Sequence, residues 1–229
     1  MSINTELKKK VCAANIGLKT EGLVVLTWGN ISEIDRETGL VYIKPSGVAY
    51  DALTPDMIVI TDIDGNVVEG NLKPSSDLPT HLCLYKSYPD ICAVVHTHSQ
   101  FATAWAQSGR GIPVLGTTHA DTFYGEIPCT PPMTDDEIKT DYEYNTGRVI
   151  VKRVEDCIQT PAVLVNGHGP FCWGKTAADV LEKAIILEQT AAMAYYTAGL
   201  NPLCPPIKKQ LLDKHFFRKH GKDAYYGQS

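Results

Sequence analysis

The sequence predicts a single α/β domain over residues 1–229, with a mostly antiparallel central sheet flanked by helices. Three observations carry that prediction. Short apolar runs bounded by Gly, Pro, Asn and Asp recur along the chain, as strands do. Longer stretches of helical period lie between them and at both ends, so sheet and helices must pack on one another. No internal repeat, low-complexity tract or linker interrupts the 229 residues, a length suited to one sizeable core.

Taken in order, residues 5–18 carry Leu7, Val11, Ala14 and Leu18 at helical spacing, with Thr5 as the expected N-cap. Strands are expected at Leu23–Ile31, Leu40–Ile43 and Met57–Thr61, and Asp64-Gly65-Asn66 is expected to turn the chain back through Val67-Val68. Residues Pro74 to Asp77 read as a polar loop, followed by a helix from Pro79 to about Tyr88, where proline suits the first turn. Ile91–His98 reads as a short strand ending in histidines, and Gln100–Ser108 as a helix. Residues 109–133 are rich in Gly, Pro and Thr and read as a long ordered loop, a hint of function in a compact domain. Thr134–Tyr144 opens a helix with Thr-Asp-Asp-Glu, and Pro161–Asn166 is another buried strand. Thr176 caps a long helix to about Tyr196, and residues 207–220 form a last helix before the tail Ala224-Tyr225-Tyr226-Gly227.

Composition narrows the function classes. Hydrophobic residues at 44% and charged residues at 21% describe a folded globular chain. A net charge of −5 argues against nucleic acid as a partner, and the one basic cluster, Lys8-Lys9-Lys10, reads as a solvated helix face. Seven cysteines form no C-x-x-C pair and fall partly in apolar runs, as expected in a reducing compartment. No segment matches a signal peptide or a membrane span, so the expected location is cytoplasmic, with no membrane partner.

The chemistry-bearing residues are histidines at strand ends. In Val94-Val95-His96-Thr97-His98 two imidazoles lie two residues apart, and on a strand such residues face the same side. A second apolar strand runs into Asn166-Gly167-His168-Gly169-Pro170, where glycines allow a sharp turn. If the two strand ends meet, three neutral imidazoles converge, the donor set of a catalytic zinc site with an open position. Set against this are the plain alternatives of core or surface histidines and a simple glycine turn. Other H-x-H patterns fit poorly: position 100 is Gln100, and no glutamate follows between Phe101 and Ala106. Three polar loops, 27–30, 44–47 and 73–77, offer hydroxyls, glycine amides and the lysine Lys44, groups that hold a phosphate dianion. No nucleotide-binding glycine loop is present, so a small phosphorylated substrate is the better expectation.

The segments Leu26-Thr27-Trp28-Gly29-Asn30, Ile43-Lys44-Pro45-Ser46-Gly47, Lys73-Pro74-Ser75-Ser76-Asp77 and Val95-His96-Thr97-His98-Ser99 come in a telling order. Gly116-Thr117-Thr118-His119-Ala120-Asp121, Phe123-Tyr124-Gly125, His168-Gly169-Pro170-Phe171 and the tail from Leu211 to Gln228 continue it. In them the chain resembles the class II aldolase / L-ribulose-5-phosphate 4-epimerase family from about residue 5 to the end.

The resemblance implies a class II aldolase-like fold and one zinc ion per subunit, with other divalent metals able to serve. Its implied ligands are His96, His98, His168 and Asp77. It places Gly29, Asn30, Ser46, Gly47, Ser75 and Ser76 on substrate-binding positions, beside the Lys44 already noted. Asp121 and Tyr226 fall on proton-transferring positions and His215 on a supporting one, with the neighbouring Tyr225 making the tail register matter. The implied reaction interconverts L-ribulose 5-phosphate and D-xylulose 5-phosphate by breaking and re-forming C3–C4. The implied assembly is a homotetramer with active sites at subunit contacts. The alternative is a class II sugar-phosphate aldolase of the L-fuculose-phosphate type, which would carry Glu where this chain has Asp77. A catalytically dead scaffold on the same fold would be expected to lose the histidines, and all three are present.

Overall fold

Among the described residues seven short strands lie side by side in the order β4-β3-β2-β1-β5-β7-β6, and every neighbouring pair is antiparallel. They are β1 (Asn30–Asp35), β2 (Leu40–Ile43), β3 (Val59–Thr61), β4 (Val67–Glu69), β5 (Ala93–His96), β6 (Ala162–Val165) and β7 (Gly169–Gly174). The helices are α1 (Thr5–Thr20), α2 (Leu78–Ser87), α3 (Gln100–Gln107), α4 (Thr117–Ala120), α5 (Asp135–Lys139), α6 (Tyr142–Arg153), α7 (Ala177–Leu200) and α8 (Lys209–His220). The computed structural model describes residues 3–222, 224 and 225.

Because side chains alternate along a strand, the sheet presents two apolar faces, and both are covered. One face carries Ile31, Tyr42, Ile60, Val95, Leu164 and Cys172 and packs under α1, α3 and α7. The other carries Val41, Ile43, Val94, Val163, Phe171 and Trp173, against which α2 and α6 lie side by side. Glu33 on β1 ties the layers, its carboxylate accepting the Ala177 N–H at the start of α7 at 2.5 Å. Thr176 caps the same helix by accepting from the Asp179 N–H.

The expected single α/β domain with an antiparallel sheet is the architecture found, but several boundaries differ for physical reasons. The cap of α1 is Asn4 rather than Thr5, its side chain accepting the Leu7 N–H. The strand expected over Leu23–Ile31 begins only at Asn30, because Leu26 (φ 55°) and Gly29 (φ 88°) hold backbone that cannot extend. The helix expected over Thr134–Tyr144 is two: α5, closed by a Thr134–Glu137 capping box, and α6, running on to Arg153. The 109–133 loop contains the short α4 and a bridge between Ile112 and Ile127. Strand β7, for which the sequence predicts no element, is a central strand despite Gly169-Pro170 and Gly174, residues that disfavour that place. Its Pro170 is tolerated because the carbonyl is what the neighbouring segment uses, accepting from the Thr97 N–H.

Candidate metal centre

His96 is the last residue of β5, and strand pairing fixes its surroundings: Asn30 lies opposite on β1 and Phe171 opposite on β7. The Phe171 ring stacks on the imidazole at 4.1 Å and 15°. His96 Nδ1 lies 2.9 Å from the Pro170 carbonyl, to which it must donate, so Nε2 keeps its lone pair. That Nε2 lies 3.1 Å from His98 Nε2. The strand ends at His96, so strand alternation is not what places His98; the turn through Thr97 into α3 does so.

The start of α3 is fastened from the opposite layer. Glu188 on α7 accepts the Phe101 N–H at 2.8 Å and the Ala102 N–H at 2.9 Å, setting a negative charge at the helix N-terminus. His168 arrives from the β6–β7 turn, where Gly167 takes φ +70° and the His168 N–H returns to the Val165 carbonyl. The two strand ends do meet. One ligand nitrogen from each of His96, His98 and His168 falls within 4.8 Å of the others.

These residues fit a divalent cation. Burial, and then the facing imidazoles of His96 and His98, push His168 down to about 3, and burial with His96 lowers His98. At neutral pH both rings are therefore neutral and offer lone pairs. Three imidazole nitrogens aimed at one point, with one side exposed at His98, are the donor set of an open first-row metal site.

Asp77 occupies the N-cap position of α2 without a side-chain capping bond, and lies beside this cluster without joining the set of converging nitrogens. Its Oδ2 accepts from Asn30 Nδ2 at 2.6 Å. Burial opposes its charge, but His96, His81 and the Asn30 amide outweigh it and hold the carboxyl below the usual carboxylate range. Asn30 is itself buried, and its Oδ1 finds no partner among the described residues, a polar atom left for a ligand. Gly29 is required where it stands, at φ 88° against the His96 backbone. The Tyr50 hydroxyl lies 2.9 Å from the Trp28 carbonyl and 2.7 Å from that of Gly29, pinning this loop.

The two remaining polar loops are brought together. Pro45 and Pro74 form a bridge, the Ser46 N–H donates to the Lys73 carbonyl, and the Ser75 N–H donates to the Lys44 carbonyl. Ser46, Gly47 and Ser76 line the outer side of this pair of loops, with Ser75 half-buried between them. Lys44 lies beneath them, its ammonium donating to the Pro45 carbonyl at 3.2 Å and lying 4.8 Å from the Tyr50 ring centre. Burial lowers its pKa to about 8, so it remains a cation that an anion would welcome.

Asp121 forms a separate group at the α4–α8 contact. His215 Nδ1 lies 3.0 Å from Asp121 Oδ1, and Arg218 grips both carboxylate oxygens at 2.9 Å. Burial works against its charge, but the hydrogen bonds from Arg218 and His215 prevail and hold the carboxyl low. Among the described residues no hydrogen bond or ion pair links this group to the three histidines. Tyr226 lies outside the described residues. Tyr225 is exposed, with the Lys214 ammonium over its ring at 5.1 Å.

Sequence reasoning missed His81, Ser32, Tyr85, Tyr142 and Glu188. The signal for His81 was its place four residues after Asp77 on a helix. Tyr142 brings its hydroxyl to 3.4 Å from His168 Nδ1, and nothing local in the sequence announces that meeting.

The family model described as Class II Aldolase and Adducin N-terminal domain matches residues 9–195. The chain belongs to the class II aldolase family. Among curated members, L-ribulose-5-phosphate 4-epimerase UlaF of Salmonella typhi is 53% identical over 225 residues, covering 97% of this chain and 99% of that protein. The protein of that name from Salmonella paratyphi C matches to the same extent. Of solved structures, an L-fuculose 1-phosphate aldolase superposes with a TM-score of 0.80 at 24% identity, over 93% of this chain and 95% of its own. The L-fuculose-1-phosphate aldolase from Thermus thermophilus gives 0.67 at 23%, over 89% and 100%. At such identities these structures speak for the fold alone.

Proposed function

We propose that this chain is a metal-dependent L-ribulose-5-phosphate 4-epimerase that inverts C4 by breaking and re-forming the C3–C4 bond. The observation that carries the chemistry is the convergence of His96, His98 and His168 on one point. The 53% identity to curated epimerases along nearly the whole length supports the substrate and the outcome. The aldolase alternative has only fold likeness behind it, and Asp77 stands where the aldolase pattern has glutamate.

A divalent cation held here, zinc or another first-row ion, would supply Lewis acidity toward the sugar oxygens. The protein does the rest. His96, His98 and His168 hold the cation, with Asp77 beside them as the carboxylate to complete the set. Ser46, Gly47, Ser75, Ser76 and the Lys44 ammonium take the phosphate, and Gly29 and Asn30 line the sugar. Asp121, ionised and oriented by His215 and Arg218, takes the proton on one face, and Tyr226 gives one on the other.

Because no hydrogen bond or ion pair among the described residues joins Asp121 to the histidines, we read the active site as completed by a neighbouring subunit in a homotetramer. Exposed Tyr195, Tyr196, Leu200 and Leu203 at and beyond the end of α7 support burial against another copy. No helix among the described residues is long and apolar enough to cross a membrane. Seven free cysteines and a sugar-phosphate substrate support a cytoplasmic location.

The test is to incubate metal-replete protein with L-ribulose 5-phosphate. D-Xylulose 5-phosphate should accumulate; lasting dihydroxyacetone and glycolaldehyde phosphate instead would make the protein an aldolase. Tyr226→Phe should slow turnover strongly with little change in substrate affinity, whereas loss with Tyr225→Phe alone would move the proton donor by one residue.

A further inference from the structure

Beneath the three histidines, β1 and α2 meet side chain for side chain. Asn30 and Ser32, two apart on a strand, face the same side, and Asp77 and His81, one helical turn apart, face back toward them. They pair two by two: Asn30 with Asp77 at 2.6 Å, and Ser32 Oγ with His81 Nδ1 at 2.7 Å. The Tyr85 hydroxyl lies 2.7 Å from the same Ser32 oxygen. Ser32, His81 and Tyr85 are all fully buried.

The direction of the protons in this chain follows from the partners available. Ser32 is the hydrogen-bond partner the Tyr85 hydroxyl has among the described residues, and a buried hydroxyl left without an acceptor is costly. Tyr85 therefore donates to Ser32, and Ser32 donates in turn to His81 Nδ1. That leaves the His81 hydrogen on Nε2, and no described residue within hydrogen-bond reach accepts it. Side chains on a helix lean toward its N-terminus, so this ring leans over the turn that begins with Asp77. A buried N–H with a fixed tautomer and no acceptor, one turn from a carboxylate next to a metal centre, is the arrangement of an outer-shell orienting group.

We propose that His81 is a positioning residue for the metal centre, its Nε2–H serving as donor to the Asp77 carboxylate when that carboxylate turns toward the three imidazoles. Asn30 holds one oxygen, and His81 fixes the angle of the group. Tyr85 and Ser32 exist in this network to keep the His81 hydrogen on Nε2. The inference rests on the metal-site reading and adds residues to it.

The experiment is zinc(II) affinity of the purified full chain, measured by chelator competition, with thermal melting of the metal-free protein alongside. His81→Phe keeps a ring of similar size and removes the donor, and should weaken zinc about tenfold to a hundredfold. His81→Gln, which returns an amide N–H near the same point, should recover most of that loss. Wild-type affinity in His81→Phe, or equal loss in both variants, overturns the proposal. Wild-type protein that takes up no zinc overturns the metal reading as well, so the two failures are distinct. Should His81→Phe not fold, nitrogen resonances of histidine-labelled, metal-free wild type decide: a hydrogen on Nε2 of His81 supports the proposal, and one on Nδ1 overturns it.

Discussion

Gly29 lies so close to His96 that a Cβ added to it would come within 2.8 Å of the His96 carbonyl oxygen. With φ at 88°, the position is closed to other residues twice over, by conformation and by space. Gly29→Ala should destabilise by more than about 1 kcal/mol, lowering the melting temperature by at least ~2–4 °C for a chain of this size. Because the clash falls on the His96 backbone, zinc uptake should weaken as well. A variant that melts and binds metal like wild type would show that neither conformation nor space demands glycine at this position.

His96→Asn or His98→Asn should remove the bound metal and turnover while leaving the far-ultraviolet circular dichroism unchanged. The basis is the convergence of nitrogens within 4.8 Å. Metal analysis of the purified double variant checks it; wild-type content would place the cation elsewhere.

Glu188 offers a test remote from the chemistry. Glu188→Ala leaves the Phe101 and Ala102 N–H groups unpaired in a buried setting and takes a charge from the α3 N-terminus. A loss of roughly 1–3 kcal/mol is expected, read by equilibrium denaturation. Since α3 begins just after His98, metal affinity should fall with it. An unchanged midpoint would show that the contact contributes nothing.

His119 gives a pH dependence of known sign. It is buried, its Nε2 donating to the Gly125 carbonyl at 2.7 Å, and burial pushes its pKa from 6.5 down to about 4. Between those values the unfolded chain binds the proton and the folded chain does not, so stability rises with pH. The contribution is present in full above pH 6.5 and is lost as pH falls toward 4, by about 3 kcal/mol at most. Denaturation curves at pH 7.5 and 4.5 should differ less for His119→Gln than for wild type; an equal difference would assign the acid lability to other groups.

Much of this protein was legible in order along the chain. The apolar runs at Leu40–Ile43 and Ala162–Val165, the helical faces of α1 and α7, and the glycine-bracketed His168 are local patterns, and local patterns survive folding when both sides of a strand are buried. The three histidines stand out at strand ends, and the loops of Ser46 and Ser75 by their chemistry. The segment at Leu23–Ile31 misled because its apolar residues obey the strand pattern while Leu26 and Gly29 adopt positive φ.

Residue order alone fixed the antiparallel α/β class, the donor types and the candidates for metal and phosphate. Which of those groups meet was decided only by the folded chain. The pairing of β5 with both β1 and β7 sets Asn30 and Phe171 beside His96, and no periodicity within one segment encodes which strand becomes its neighbour. The same long-range pairing brings His81 under Asp77 against Ser32, and Glu188 from 87 residues away onto the first turn after His98. Such contacts are selected by the burial of whole faces at once, a property of the assembled layers rather than of any stretch of sequence.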